Sequence, residues 1–401
     1  MKQFEVPAFF RSGLLSKVKA ERKTADPRKK DFSPTQIIMG DFTFVLARHF
    51  GFCYGVENAI ERSYKALSEN PGKRIFLLSQ MIHNPAVNED LQANGISFLQ
   101  DTHGNQLIDF KELNSDDIVL IPAFGTTLEI EQRLRNLKID IQTYNTTCPF
   151  VEKVWNRSEK LSQDKHTIII HGKHDHEETR ATFSHAAAFG PALVVKNMQE
   201  ATFLAQVIKK QKSSAEFHAY FNGKYTPGFD PTVDLNRIGV VNQTTMLASE
   251  TQAITDFLRQ TYIDLYGPQE IKKFMADTRD TLCYATNDNQ TSTLGLMENQ
   301  ADLAVVVGGY NSSNTTHLVE LLEQKFPTYF IRSANEIHGK DKIHSFDIHS
   351  KSIFELPFLP EKGTIRIAIT SGASCPDAIV DGVIKRILDL MEIEKPIEEV
   401  I

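Results

Sequence analysis

The 401-residue sequence has four cysteines, too few to staple a chain of this length with disulfides. It has no apolar run near the roughly 18–20 residues that a membrane span needs. Its opening segment, MKQFEVPAFFRSG, contains no apolar signal core, so a soluble protein that is not secreted is expected. C-x-x-C is missing, which argues against a zinc ribbon, a thioredoxin-type motif and a ferredoxin-type cluster run. The G-K-[ST] ending of a Walker A loop is missing, as is G-x-G-x-x-G, so nucleotide binding is not indicated. Excess positive charge is missing too. Against 51 Asp and Glu stand 44 Lys and Arg, for a net charge of −7. That balance disfavours general nucleic-acid binding, which rests on a positive field.

What is present is ordinary globular composition, 41% hydrophobic and 24% charged. The length suggests two or three domains or a repeated unit. The first 40 residues differ from the rest, with nine Lys or Arg and four Asp or Glu between Met1 and Asp31. Their apolar spacing is weak apart from a short helix around Leu14–Val18. A solvated arm or a flap over the core is the expectation, and acidic residues with few serines argue against a transit peptide.

From Phe42 onward a unit recurs. A short Val- and Ile-rich run ends in a polar or glycine turn, and a helix-like segment follows. FTFVLARHFGFC (42–53), RIFLLSQMIHNP (74–85), DIVLIPAFGTT (117–127), TIIIHGKHDHEET (167–179), RIGVVNQTT (237–245), LAVVVGGYNSSN (303–314) and TIRIAITSGASCPD (364–377) all fit. Such strands imply βαβ units and parallel sheets buried on both faces. About three similar α/β lobes are expected. The arm spans 1–40, the first lobe 41–148, the second 149–282 and the third 283–378, with a C-terminal helix and tail over 379–401. The strand at 42 belongs either to the first lobe or to the third. Stretches 209–236 and 333–363 break the rhythm and read as insertions or connectors.

In such sheets ligands collect beyond the carboxyl ends of the strands. These junctions carry Cys53, His83, His176, Glu178, Thr244, Thr245, Ser312, Asn314 and Ser374. Each alone reads as a helix cap or turn residue. Together they read as a shared polar pocket. Cys53, Cys148 and Cys283 fall at strand–helix junctions, Cys53 within the first lobe, Cys148 at the border of the first and second, and Cys283 at the start of the third. They are either inert buried thiols, ligands of a three-thiolate iron–sulfur cubane with one iron left open, part of a metal site with histidine, or a reactive nucleophile.

His171, His174 and His176 alternate after one strand and resemble metal ligands superficially, although H-E-x-x-H is absent. Glu178 suits the first turn of a helix, where an acid favours the dipole. It also suits a proton donor held in a closed pocket. Gly308-Gly309-Tyr310-Asn311-Ser312-Ser313-Asn314 and Ser371-Gly372-Ala373-Ser374 are glycine turns feeding helix starts. Their backbone N–H groups could cradle phosphate oxygens, and with His83 and His176 they suit a small diphosphate.

Taken in order, these segments resemble the 4-hydroxy-3-methylbut-2-enyl diphosphate reductase (LytB) family, the last enzymes of the methylerythritol phosphate route to isoprenoids. The resemblance covers about Phe42 to Leu388. It rests on GFCYGVENAI, His83-Asn84-Pro85, Thr147-Cys148-Pro149, His176-Glu177-Glu178-Thr179, Gln243-Thr244-Thr245, Cys283-Tyr284-Ala285-Thr286, the NSSN run and SGAS-x-PD. It implies a trefoil of three α/β lobes around one [4Fe–4S] cluster per chain. Cys53, Cys148 and Cys283 would be the three protein ligands and one iron would stay open for substrate. Cys375 falls outside that pattern and is expected to be a packed thiol. The substrate pocket would use His83, His176, Thr244, Thr245, Ser312, Ser313, Asn314 and Ser374. Glu178 would supply a proton, with Thr244 or Thr245 as relay.

The resemblance also implies an allylic diphosphate substrate and a reduced ferredoxin or flavodoxin as electron donor. The place of action would be the bacterial cytoplasm, or the plastid stroma in a photosynthetic eukaryote. Many relatives carry a His where this sequence has Phe124, which removes one pocket contact. That Phe and the long arm resemble the cyanobacterial and plastid branch. An iron–sulfur hydro-lyase and an iron–sulfur redox sensor are the competing expectations. The former performs no net reduction, and the latter needs a partner surface.

Overall fold

The computed structural model describes residues 4–277, 281, 283–361 and 363–392. The expected tail beyond 392 lies outside them. The chain divides into two compact units, residues 1–57, 83–87 and 284–401 in one and residues 58–82 and 88–283 in the other. The architecture is α/β with parallel sheets, as the buried Val- and Ile-rich runs require.

The first unit is built on a five-stranded sheet. Its order is Thr35–Met39, Phe42–Leu46, Ile365–Ser371, Leu303–Val307, Thr328–Ile331. The first two strands form an antiparallel hairpin turned at Gly40, and the remaining neighbours run parallel. The strand at 42 therefore pairs with the strand at 365, about 320 residues away in sequence. Phe42–Leu46 and Leu303–Val307 are buried at every position. No alternation is seen because both faces are covered. Three junctions lie at the carboxyl edge of this sheet: the GFCYG turn after Leu46, the GGYNSSN turn after Val307, and the SGASCPD turn after Ser371.

The second unit carries two three-stranded parallel sheets. One has Ile75–Leu77 between Ile96–Phe98 and Ile118–Leu120. The other has Thr167–His171 between Ala192–Val195 and Ile238–Asn242. Each sheet has its own buried apolar cluster, such as Leu78, Phe110 and Val119 for the former and Ile169, Leu193 and Val240 for the latter. The irregular stretch 209–236 joins two strands of this latter sheet. The stretch 333–363, which holds a hairpin of Ile343–Asp347 and Ser352–Leu356, joins two strands of the five-stranded sheet. Both are insertions within a sheet and not connectors between lobes.

The amino-terminal arm is a flap. Its helix runs Gly13–Ala25, longer than the spacing suggested, and Ser12 caps it by accepting from the Leu15 N–H at 3.1 Å. Leu14, Leu15 and Val18 enter the core of the first unit. Burying each such side chain contributes about 1.5–3 kcal/mol. The half-exposed Lys19–Asp377 ion pair at 2.7 Å contributes about 0–1 kcal/mol. Apolar burial, not charge, seats the arm. No helix among the described residues is long and apolar enough to cross a membrane.

Candidate active site

The residues singled out by the sequence fall into two groups, one in each unit. In the first unit Cys53 sits immediately before the helix Tyr54–Glu69. Its N–H donates to the Ala373 carbonyl at 3.1 Å, which ties it to the SGAS turn. Two residues earlier Gly51 adopts φ +80°, and a Cβ there would collide with the Asp377 side chain. The chain can turn toward Cys53 only through a glycine.

The same edge brings the two glycine turns together. Ser312 caps the helix Ser313–Leu322 and accepts from Thr315 N–H at 3.3 Å and Thr315 Oγ1 at 3.0 Å. Asn314 Oδ1 accepts from the Ala373 N–H at 2.9 Å and so bridges the two glycine turns. Its amide Nδ2 is buried and has no hydrogen-bond partner among the described residues, and the same holds for Thr370 Oγ1. Buried unpaired donors of this kind cost about 1–3 kcal/mol unless a ligand engages them. Ser374 Oγ donates to the His83 carbonyl at 3.3 Å. A Cβ on Gly309 would collide with that same carbonyl. His83, Ser312, Ser313, Asn314 and Ser374 are all buried in this unit. Thr315, fully buried, was not among the expected residues. It fills the space that Cβ atoms on Gly308 and Gly372 would need. Its signal is its place directly after the NSSN run.

In the second unit the QTT turn meets the start of the helix Glu177–Ala187. Glu178 is 1% exposed. Its carboxylate accepts from the Thr244 N–H and, at 3.0 Å, from Thr244 Oγ1. Burial pushes its pKa up to about 7, against the opposing pull of the two Thr244 hydrogen bonds. The neighbouring Glu177 is occupied differently, accepting the Ser79 hydroxyl. Thr245 faces away from Glu178 in bonding terms, because its Oγ1 accepts from Gln243 Nε2 at 2.7 Å. Gln243 also accepts from Thr179 Oγ1 at 3.0 Å and from the Lys173 N–H at 3.1 Å. It is the brace of the turn, legible only as the first letter of QTT.

His176 is the helix cap. Its Nδ1 accepts from the Glu178 N–H at 3.2 Å, which leaves the proton of a neutral ring on Nε2. Phe124 packs edge-on against this ring, centroids 5.7 Å apart. The three alternating histidines do not form a metal group. His171 bonds Thr251 Oγ1 at 2.8 Å, His174 is exposed and His176 caps a helix. No three His, Cys, Asp or Glu side chains among the described residues are arranged to hold a single metal ion.

Cys148 caps the helix Pro149–Gln163, and its N–H donates to the Ala123 carbonyl at 2.9 Å. Cys283 directly precedes the helix Tyr284–Met297, and Thr281 Oγ1 donates to Asn242 Oδ1 at 2.7 Å. None of the four cysteines is in a disulfide. Cys53, Cys148 and Cys283 are half-buried, each at the amino end of a helix of 14 to 16 residues. Negative charge on a thiolate is favoured there by the helix dipole. Cys375 is fully buried, and that burial pushes its thiol far above the ordinary range. Each of the three half-buried thiols, taken by itself, has the chemistry of a thiolate ligand, whereas Cys375 is sealed away from any ligand.

The family model described as LytB protein matches residues 44–388. The chain belongs to the LytB family. Among curated members, the 4-hydroxy-3-methylbut-2-enyl diphosphate reductase of Synechococcus sp. is 41% identical over 353 residues, which cover 88% of this chain and 86% of that one. The enzyme of the same name from Synechocystis sp. is 40% identical, covering 90% and 93%. Two solved structures share the LytB fold. The reductase described as the terminal enzyme of the non-mevalonate pathway aligns with TM-score 0.51 at 24% identity, covering 88% of this chain and all of that one. The E-1-hydroxy-2-methyl-but-2-enyl-4-diphosphate reductase of Plasmodium falciparum aligns with TM-score 0.62 at 20% identity, covering 88% and 89%.

Proposed function

We propose that this LytB chain is a 4-hydroxy-3-methylbut-2-enyl diphosphate reductase. It removes the allylic hydroxyl with two electrons and two protons, releasing water and giving isopentenyl and dimethylallyl diphosphates. The observation that carries the reading is the Glu178–Thr244 pair, a buried carboxyl with its pKa raised by burial, hydrogen-bonded to a single hydroxyl.

Cys53, Cys148 and Cys283 would hold a [4Fe–4S] cluster. When bound, the cluster supplies a Lewis-acidic iron for the hydroxyl and a relay for single electrons from reduced ferredoxin or flavodoxin. The protein's own part is proton delivery and anchoring. One oxygen of Glu178 is engaged by the Thr244 N–H, so the acidic proton resides on the other, Oε2. Protonation reverses the Thr244 Oγ1–Glu178 Oε2 hydrogen bond, so that Oε2–H donates to Oγ1 and the Thr244 hydroxyl proton is freed to pass to the departing oxygen. A pKa near the working pH suits both release and reloading. Thr245 positions the turn through Gln243. Asn314, Ser312, Ser313 and His83 would bind the diphosphate with N–H and O–H donors, Ser374 would join them by turning its hydroxyl from the His83 carbonyl, and His176 would face the same group. Phe124 shields one side of the His176 ring.

The test is anaerobic turnover of the allylic diphosphate with dithionite-reduced methyl viologen, following products and viologen oxidation together. Two viologens oxidised per product is expected. Conversion without reductant would replace the reading with a hydro-lyase.

A further inference from the structure

The arm and the GFCYG turn line a cavity of about 260 Å³ beside Cys53, and the proposed chemistry leaves its basic residues without a role. Its lining includes Lys23, Lys29, Arg48 and Lys19, the last paired with Asp377, together with Cys53 and the two carboxylates Glu57 and Asp288. Arg48 is 6% exposed, and its Nη2 donates to the Arg22 carbonyl at 3.2 Å. Its Nε has no hydrogen-bond partner among the described residues. The guanidinium is thus held under the cavity with donor capacity left over. Phe50, Phe52 and Tyr54 add an aromatic rim.

The charge is concentrated. The first 31 residues carry five net positive charges in a chain of net −7, so the other 370 carry −12. Lys17, Lys23, Arg28 and Lys30 on this arm are exposed. The helix that presents several of them is seated by buried Leu14, Leu15 and Val18, so the field has a fixed position over the Cys53 turn. A basic patch on an otherwise acidic protein selects an acidic partner and steers its approach. Aromatic rings and arginine ringed by charge are the make-up of a protein contact surface.

We infer that the basic arm and the cavity beneath it form the docking face for an acidic one-electron carrier protein, which delivers its electrons beside Cys53. This rests on the reductase reading, because only a reaction fed with electrons from outside needs such a face. One electron per docking event leaves the carrier and enters the protein. Two events serve one C–O cleavage.

The experiment pairs two donors on the intact holoenzyme. One is a reduced acidic [2Fe–2S] ferredoxin, and the other is dithionite-reduced methyl viologen. Lys23→Glu/Lys29→Glu is compared with Lys23→Arg/Lys29→Arg and wild type. With ferredoxin, the Glu pair should raise KM for the carrier at least ~10-fold, and the Arg pair should leave it unchanged. Wild-type KM for ferredoxin should rise steeply with salt around 0.1 M, where the screening length is ~10 Å. With viologen, kcat and the KM for diphosphate should be the same in all three proteins. An unchanged ferredoxin KM in the Glu pair overturns the docking face. A raised KM for the diphosphate with viologen also overturns it, by making the cavity a small-anion site. Wild type that fails to turn over with viologen sinks the reductase reading instead.

Discussion

Replacing Glu178 by Gln separates two quantities that the structure ties to one proton. In the folded protein burial raises this carboxyl to about 7, whereas an unfolded glutamate titrates near 4.5. A carboxyl raised on folding stabilises the native state fully below the unfolded value. That contribution is lost as pH climbs from the unfolded value to the folded one, because the native state must either hold a proton that the unfolded state has released or carry an ionised group that water would solvate better. The full span is about 3 kcal/mol at roughly 1.4 kcal/mol per unit. Most of it is gone by pH 6, and about 1 kcal/mol more is lost between pH 6 and 8.5.

Glutamine is neutral and nearly isosteric, keeps an acceptor for the Thr244 N–H, and does not titrate. The stability gap between Glu178→Gln and wild type should therefore shift in the variant's favour by about 1 kcal/mol from pH 6 to pH 8.5. Over the same range kcat of the variant should be lower by ~10²–10⁴-fold, with iron content and substrate affinity retained. Anaerobic denaturation at the two pH values and viologen-driven turnover provide the measurements. Near-normal turnover would remove Glu178 as proton source. A stability gap that ignores pH would show that the carboxyl is not held protonated by its burial.

Cys148→Ser should cut iron and sulfide content sharply after anaerobic reconstitution, whereas Cys375→Ser should leave both unchanged; a fully loaded Cys148→Ser protein contradicts the ligand assignment. Asn314→Ala removes a buried donor and the bridge to Ala373, and should weaken diphosphate binding by ~10–100-fold, at ~1.5–3 kcal/mol for a hydrogen bond to a charged group, with the cluster spectrum unaltered by calorimetry-matched samples. Leu15→Ala should cost about 2–5 kcal/mol in unfolding free energy, measured by urea denaturation; a loss below ~0.5 kcal/mol would mean the arm is not seated by burial.

The strands were legible because both faces of a parallel sheet are covered, which turns each into an uninterrupted apolar run such as TIII or LAVVV. The partners of those strands were not. Phe42–Leu46 pairs with Ile365–Ser371, and nothing local announces a pairing over so long a separation. The arm helix is only partly legible in the sequence because Leu14, Leu15 and Val18 alone enter the core and much of the rest of the segment is charged. Tertiary burial, not local periodicity, forms it.

In the site, Thr244 and Thr245 are chemically alike and adjacent. The turn's geometry alone gives one to Glu178 and the other to Gln243. Thr147-Cys148-Pro149 and Ser374-Cys375-Pro376 make the same point more sharply. Their local chemistry is nearly identical, yet one thiol is half-buried at a helix start and the other is sealed in a core. Residue type and spacing nominate candidates, and burial decides among them.

The central claim is that Cys53, Cys148 and Cys283 hold one four-iron cluster with a corner open to substrate. Mössbauer spectroscopy of the anaerobically reconstituted protein tests it most directly. Four irons per chain, one of them distinct and shifted when the allylic diphosphate is added, is the predicted result. A protein that takes up no cluster, or a cube of equivalent irons indifferent to the diphosphate, would contradict it.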